Sequence, residues 1–135
     1  MMIVLDTNVI ISGILRPFGK AAHILTFVAE GTVQLAYDLR LLSEYRDVLN
    51  RPKFSLAREN VETFLTHVEQ EGFLVSAKPL GIHLPNPDHR PFLEVALSGG
   101  ARVMVTGYKR HFPRECEGVR ILSPAEFLDV LEGRI

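Results

Sequence analysis

The sequence predicts an α/β fold of three layers, in which helices cover both faces of a mainly parallel, five-stranded sheet. Short apolar runs alternate along the chain with longer segments in which apolar residues recur at helical spacing. The apolar runs lack polar alternation, which is typical of strands buried on both faces. The 135 residues, 47% hydrophobic and 23% charged, suit one globular domain over residues 1–135.

The first strand and the first helix are predicted close to the start of the chain. Residues 3–5 (Ile-Val-Leu) form an apolar run that ends at Asp6, and we expect a strand there. A short helix follows over residues 8–15. It ends before Pro17, because a proline disfavours the helical conformation in the residue that precedes it.

A second helix, a second strand and a third helix follow in turn. Residues 19–30 have helical spacing of apolar residues, and Gly31 suits the end of that helix. The apolar run 33–37 is the second predicted strand. Residues 39–50 place their apolar side chains on one stripe, and Pro52 follows the end of this third helix.

The middle of the chain holds the longest predicted helix and the longest predicted loop. The helix covers residues 55–71 and stops at Gly72. The apolar run 73–75 directly after it is the third predicted strand. The segment 78–87 contains three prolines, so we expect a loop there.

Two strands and two helices complete the prediction. Residues 90–97 form a helix that Pro91 can begin, because the first helical position needs no N–H donor. The apolar runs 103–106 and 119–122 are the fourth and fifth strands. A Ser-Pro-Ala-Glu capping box then begins a final helix over 124–131. Strands that alternate with helices indicate a mainly parallel sheet.

Three acids are candidates for a metal site. Asp6 ends the first strand, and open α/β sheets bind ligands outside the carboxyl ends of their strands. Glu44 lies at the flank of an apolar helical stripe, and Asp88 precedes a helix. A few carboxylates with several waters suffice for magnesium. Plainer explanations remain open: Asp6, Asn8 or Asp88 as helix caps, and Glu44 as a solvated side chain. We expect Glu94 at the surface.

Basic residues follow the fourth predicted strand, on the same edge of the sheet. The group consists of Lys109, Arg110, His111 and Arg114, and Arg16 and Lys20 could extend it. At the rim of a cleft, such side chains contact phosphates and position a nucleic acid. A short basic run is also often a solvated surface. The net charge of −1 excludes a protein that coats nucleic acid non-specifically, but leaves a local site open.

Several other classes of protein lack their expected features. No glycine-rich dinucleotide motif, P-loop or nucleophilic serine elbow is present. A single cysteine excludes a disulfide framework or a Cys-rich zinc site. His23, His67, His83 and His89 show no metal-ligand spacing, and we interpret His23 and His67 as structural or surface residues. Neither a membrane span nor a secretory leader is evident, so we expect a cytoplasmic protein without membrane contact.

Taken together, four stretches resemble the motifs of the PIN domain family: residues 3–13, Glu44 with its neighbours, residues 87–97 and residues 105–112. The likeness spans essentially the whole chain in the right order, and is strongest to toxin components of type II toxin–antitoxin systems. It implies a metal-dependent endoribonuclease that uses Mg²⁺ or Mn²⁺, pairs with an antitoxin and often forms a homodimer.

The chain departs from that family pattern at three positions where relatives usually or often have an acid: Asn86, His89 and Tyr108. Asp6 and Glu44 match the pattern, and Asp88 is an adjacent acid. Magnesium gains little from an imidazole or a phenol, so the reduced set favours one ion over two. His89 could favour Mn²⁺, act as an acid or base, or simply flank the helix.

The resemblance implies a mechanism in which Asp6, Glu44 and Asp88 hold the metal. Asn8, Thr106 and His89 would support these ligands or the phosphate, and Lys109 and Arg110 would contact the RNA backbone.

Two alternatives remain at this stage. A catalytically impaired PIN domain could bind RNA or an antitoxin without cleavage. A phosphatase of the haloacid-dehalogenase type would use an aspartate after the first strand, but Asn8 occupies the place of its second aspartate.

Overall fold

The structure is a computed structural model that describes residues 1–81, 84 and 86–133 of the chain. Its strands, numbered along the chain, are β1 (Met2–Leu5), β2 (Gln34–Tyr37), β3 (Phe73–Leu74), β4 (Val103–Val105), β5 (Glu115–Cys116) and β6 (Val119–Leu122). They form one sheet in the order β3-β2-β1-β4-β6-β5. All neighbouring pairs are parallel except β5 and β6. The predicted α/β class with a mainly parallel sheet is confirmed.

The helices are α1 (Thr7–Leu15), α2 (Lys20–Ala29), α3 (Leu39–Leu49), α4 (Arg58–Glu71), α5 (Arg90–Gly99) and α6 (Pro124–Leu131). Short 3₁₀ turns occupy Pro52–Phe54, Pro87–His89 and Lys109–His111. Helix α4 begins three residues later than predicted, because Ser55 has a left-handed φ of 48° that no helix accommodates. Part of the predicted loop 78–87, including His83, lies outside the described residues.

The predicted number of five strands is wrong, because the described residues contain β5 as a sixth. This two-residue strand pairs with β6 in a hairpin closed by Glu117 and Gly118. Both turn residues have positive φ angles, 48° and 92°, as a two-residue hairpin turn of type I′ requires. Glu-Gly is not among the dipeptides typical of that turn, and a two-residue strand shows no periodicity. The sequence pattern therefore gave no indication of it.

The order of the strands reverses beside β1. From β1 the chain continues to β2 and β3 on one side of the sheet, and then crosses to β4 on the other side. Neighbouring strands on either side of such a reversal leave a crevice at their carboxyl ends. Asp6 follows β1 directly, and Thr106 follows β4. The topology therefore places both side chains at this crevice.

The central strands β1 and β4 lie in the buried core, beneath packed helices. Ile3, Val4 and Leu5 of β1, and Met104 and Val105 of β4, are fully buried. Helix α5 packs against β1, β2 and β4, helix α4 against β2, and helix α6 against β6. Among the described residues, no helix is both long and apolar enough to cross a membrane.

Candidate active site

Asp6 is the buried centre of a polar cluster at the carboxyl end of β1. Only 3% of the residue is exposed. Its Oδ1 accepts the backbone N–H of Thr7 at 2.8 Å, so Asp6 caps α1. Its Oδ2 accepts the Asn8 amide at 3.0 Å and the Thr106 hydroxyl at 2.8 Å. These three donors hold the carboxylate in one orientation, so Asp6 is both the helix cap and an acid at the crevice.

Glu44 is joined to this cluster by a neighbouring hydroxyl. The Thr7 hydroxyl donates to Glu44 Oε2, which links the glutamate to the residue next to Asp6. The adjacent residue on α3, Tyr45, is 1% exposed and donates its hydroxyl to the Leu5 carbonyl at 2.5 Å. That bond anchors α3 against the end of β1. Glu44 is therefore held beside Asp6 and is not the solvated side chain of the plainer explanation.

The electrostatics of Glu44 show that negative charge is concentrated here. Its pKa is raised, first by burial and then by the negative charges of Asp6 and Asp88, against the opposing effects of the Thr7 hydroxyl and of His89. A carboxylate with a raised pKa beside other acids gains from a cation that neutralises them. Two nearby carboxylates, with a third acid within electrostatic range, are the kind of oxygen donors that a hard divalent ion prefers.

Two side chains tie the loop after β4 to Asp6. Thr106 is fully buried, and its Oγ1 accepts the Tyr108 N–H at 3.0 Å while donating to Asp6. Asn8 accepts the Gly107 N–H at 2.9 Å while its amide also donates to Asp6. A Cβ on Gly107 would lie only 3.0 Å from the Asn8 side-chain oxygen, so glycine suits this close approach. The loop is thus fixed relative to the carboxylate.

Asp88 lies further out than the other two acids. It is exposed, in the 3₁₀ turn before α5, and its charge reaches Glu44. It is not the helix cap of the plainer explanation, because its own N–H donates to Asn86 Oδ1 at 3.0 Å and His89 stands at the cap position of α5. Among the described residues, no group of three His, Cys, Asp or Glu side chains is arranged to hold a metal ion. The structure thus brings Asp6 and Glu44 together, with Asp88 as a neighbouring charge.

His89 belongs to a column of stacked rings beside the acids. Its ring stacks on His111, with centroids 5.4 Å apart, and on Phe112, at 4.7 Å. Tyr108 stacks on His111 at 5.2 Å. His89 makes no capping hydrogen bond to α5, although it stands at the cap position. The structure therefore places it against rings of the loop after β4.

The predicted basic residues differ in ion pairing and in exposure to solvent. Lys109 pairs with Glu126 at 2.7 Å, and this hydrogen bond lowers the pKa of Glu126. Other members of the set are exposed: Arg16, Lys20, Arg110 and Arg114. Arg110 adjoins Lys109 in the turn that follows β4. Lys109 is available to a phosphate only in competition with Glu126.

The prediction that Glu94 lies at the surface is wrong. Glu94 is 6% exposed, and its carboxylate accepts the Arg40 guanidinium at 2.7 Å and the Leu80 N–H at 2.8 Å. Arg40 also pairs with Asp38 at 2.8 Å. A glutamate can be buried where an arginine and an N–H donor satisfy its oxygens. This bridge joins the start of α3 to α5, the two helices next to the acids.

Sequence reasoning missed two residues of the cluster. The sequence pattern indicates no role for Thr7, yet this residue joins Asp6 to Glu44. Tyr45 lies within the apolar stripe predicted over residues 39–50. A tyrosine at the centre of such a stripe was itself a clue, because a buried phenol normally finds a hydrogen-bond partner.

An open groove of about 550 Å³ lies elsewhere, with Met1, Gln34 and Gly72 in its lining. Met1 and Gln34 stand at the amino ends of β1 and β2, whereas Asp6 stands at the opposite edge. The acids contribute nothing to the lining of this groove, so we do not assign it to their chemistry.

The fold and the cluster define a small open α/β domain whose polar centre, at the reversal of strand order, is acidic. The chain belongs to the PIN domain family, which it matches over residues 2–110. PIN domains are generally nucleases and typically depend on divalent metal ions. Proteins of this family commonly bind RNA and antitoxins. No curated protein and no solved structure matches the chain.

Proposed function

We propose that this protein is a metal-dependent endoribonuclease and the toxin of a toxin–antitoxin pair. The observation that carries the proposal is the coupling of Asp6 to Glu44 through Thr7 at the crevice beside β1. Two carboxylates that are both hydrogen-bonded to one threonine, at the carboxyl edge of the sheet, suit the hydrolysis of a phosphodiester. Family membership supports the nuclease class.

Asp6 and Glu44, with Asp88 beside them, would hold one Mg²⁺ or Mn²⁺ ion. When bound, such an ion orients a water molecule, lowers the pKa of that water and stabilises charge on the phosphate. Asp6 is oriented for this role by Asn8 and Thr106, and Glu44 by Thr7. Because Glu44 is less favourably ionised in the metal-free protein, a bound cation would also stabilise its carboxylate.

The exposed cations would hold the RNA backbone. Arg110 lies in the turn that follows β4, Arg114 directly precedes β5, and Arg16 and Lys20 flank the turn between α1 and α2. Contacts of this kind position a nucleic acid without reading its sequence. Lys109 would join them after release from Glu126.

The decisive experiment compares cleavage of a single-stranded RNA by the wild type, Asp6→Asn and Asp47→Asn, each with Mg²⁺, with Mn²⁺ and with a chelator. Asp47 is a matched control because its carboxylate, on the same helix as Glu44, is 71% exposed and pairs with Arg51 alone among the residues that the structure describes. We expect the wild type and Asp47→Asn to cleave with either metal, and Asp6→Asn to fall to the background without enzyme. Equal residual cleavage by the wild type and Asp6→Asn would refute the mechanism.

The exposed position of Asp88 favours a second candidate. His89 and Tyr108 lie near the acids, at two positions where relatives usually or often carry a further acid. The site therefore has few metal ligands. A catalytically impaired PIN domain that only binds RNA or its antitoxin would suit this reduced set. It predicts retained RNA binding without cleavage, and His89→Asp combined with Tyr108→Asp would then restore activity. Wild-type turnover that Asp6→Asn abolishes would dismiss this candidate.

The same proposal includes a single domain over residues 1–135 and a cytoplasmic location. It also includes a partner protein and a homodimer. Strand β3 stands at one edge of the sheet, and its Phe73 and Leu74 are 46% and 58% exposed. An exposed apolar sheet edge is the kind of surface that another chain covers. Size-exclusion chromatography with light scattering would establish the mass in solution.

The phosphatase alternative has no support, since Asn8 donates an amide to Asp6 where that mechanism needs a second acid.

A further inference from the structure

The ring column Tyr108–His111–His89–Phe112 runs from solvent into the core. Tyr108, at its outer end, is 49% exposed, the two imidazoles are half-buried, and Phe112 at the inner end is 7% exposed. Successive centroids are 5.2, 5.4 and 4.7 Å apart, within the range of offset stacking. The column thus ends in a ring supported from below and open to an incoming planar group.

Stability alone does not account for the imidazoles in this column. The Nδ1 atoms of His89 and His111 are buried and have no hydrogen-bond partner among the described residues. A buried polar atom without a partner costs folding free energy, whereas an apolar ring of similar shape would stack without that cost. An arrangement that sacrifices stability beside a polar crevice is a candidate for function.

Hydrogen bonds anchor the backbone of Tyr108 relative to the acids. The Tyr108 N–H donates to Thr106 Oγ1 at 3.0 Å, and that hydroxyl donates to Asp6 at 2.8 Å. On the other side of the column, His89 directly follows Asp88, and both residues act electrostatically on Glu44. The backbone of Tyr108 is therefore linked to the Asp6 carboxylate through one hydroxyl, and its ring extends from that anchored segment.

We propose that Tyr108 is a base-stacking residue, on which an unpaired base of the RNA strand rests while the adjoining backbone lies at the acids. This inference rests on the proposed ribonuclease function and adds the residue that would hold a base of the substrate beside the acids. An unpaired base has an open face for such a ring. In a double helix the neighbouring bases cover those faces.

The surroundings of the ring favour RNA over a protein partner. Arg110 and Arg114 are exposed close to Tyr108 in the chain. Exposed aromatic rings among cations are the arrangement with which proteins hold single strands, the cations on the phosphates and the rings on the bases. The more apolar exposed edge of β3 better suits a protein, since no arginine or lysine belongs to it.

Binding is measured in chelator, which keeps the strand intact if cleavage needs a metal. The probes are a labelled oligouridylate of about ten nucleotides and an abasic strand of equal length and charge. Fluorescence anisotropy gives the Kd for the wild type, Tyr108→Ala, Tyr108→Phe and Phe73→Ala. Phe73 is the matched control because it is similarly exposed, at 46%, but lies at the edge of the sheet beyond β2.

Loss of one stacked base predicts that Tyr108→Ala weakens binding of the oligouridylate by roughly 5- to 150-fold. Tyr108→Phe and Phe73→Ala bind as the wild type does. The wild type should bind the abasic strand as weakly as Tyr108→Ala binds the oligouridylate. Tyr108→Ala should bind the abasic strand with the same affinity as the wild type does. The chain has no tryptophan, and Tyr37 and Tyr45 are buried, so quenching of tyrosine fluorescence by the bound base should disappear in Tyr108→Phe.

Equal affinity of the wild type and Tyr108→Ala for the oligouridylate overturns the inference, as does equal affinity of the wild type for the two strands. Loss of binding to an antitoxin but not to RNA in Tyr108→Ala also overturns it, in favour of a protein contact. The proposed function fails separately. Tyr108-dependent binding without metal-dependent cleavage would leave the stacking role intact, whereas Asp6-dependent cleavage with unchanged binding by Tyr108→Ala would leave only the nuclease.

Discussion

Replacement of Thr106 by valine tests whether one buried hydroxyl organises the candidate site. Valine keeps the shape of the fully buried threonine but removes two hydrogen bonds, one to Asp6 and one from the Tyr108 N–H. The bond to a charged group contributes about 1.5–3 kcal/mol and the other about 0.5–1.5 kcal/mol. We therefore expect a free energy of unfolding lower by about 2–4 kcal/mol.

For a chain of this size, that loss lowers the Tm by roughly 6–16 °C, which calorimetry or thermal circular dichroism measures. Because Asp6 would lose one of its three donors, cleavage and Mn²⁺ affinity should each fall by about 10- to 100-fold, as for other residues that orient metal ligands. Thr106→Ser is the control, since it keeps both hydrogen bonds and loses only a methyl group, at a cost near 1 kcal/mol. A valine variant with the Tm and the Mn²⁺ affinity of the wild type would refute the reasoning.

Two further substitutions probe the charges around the site. Burial and nearby carboxylates raise the pKa of Glu44, so its contribution to stability is present at acid pH and is lost as the pH rises through the raised pKa. Glu44→Gln should therefore raise the Tm of the metal-free protein at neutral pH, and this increase should become smaller as the pH falls. The same variant should lose the increase in Tm that Mn²⁺ causes. A lower Tm of the variant at neutral pH would contradict this reasoning. Arg40→Met leaves the buried Glu94 unpaired and should cost about 1–3 kcal/mol in urea unfolding. Arg46→Met, whose partners are about half exposed, should cost less than about 1 kcal/mol, and equal losses in the two variants would argue against the bridge.

The fold was predictable because its strands and helices differ in local pattern. Buried parallel strands are continuous apolar runs, helices carry stripes, and glycines and prolines separate them. Two errors of the prediction concern contacts that leave no periodic pattern in the sequence. Strand β5 exists only through its bond to β6, and Glu94 is buried only because Arg40, which is 54 residues away in the chain, reaches its carboxylate.

The candidate site was predictable only in part. Asp6 could be placed at the crevice because it ends the first strand, and the end of a parallel strand is a definite position in such a fold. Asp88 could not be placed relative to Glu44, because that relation depends on how two helices and a turn pack. The column of His89 with His111 likewise joins two segments that have no common local pattern.

Local periodicity and chain order were enough to predict the α/β class, the alternation of strands and helices, and the position of Asp6 at the end of β1. The coupling of Asp6 to Glu44 through Thr7, and the column of rings beside the acids, became evident only from the packed structure. Hydrogen bonds and ring contacts act over a few ångströms between residues that are distant in the chain. Their presence therefore depends on packing, which a single sequence does not express as a local pattern.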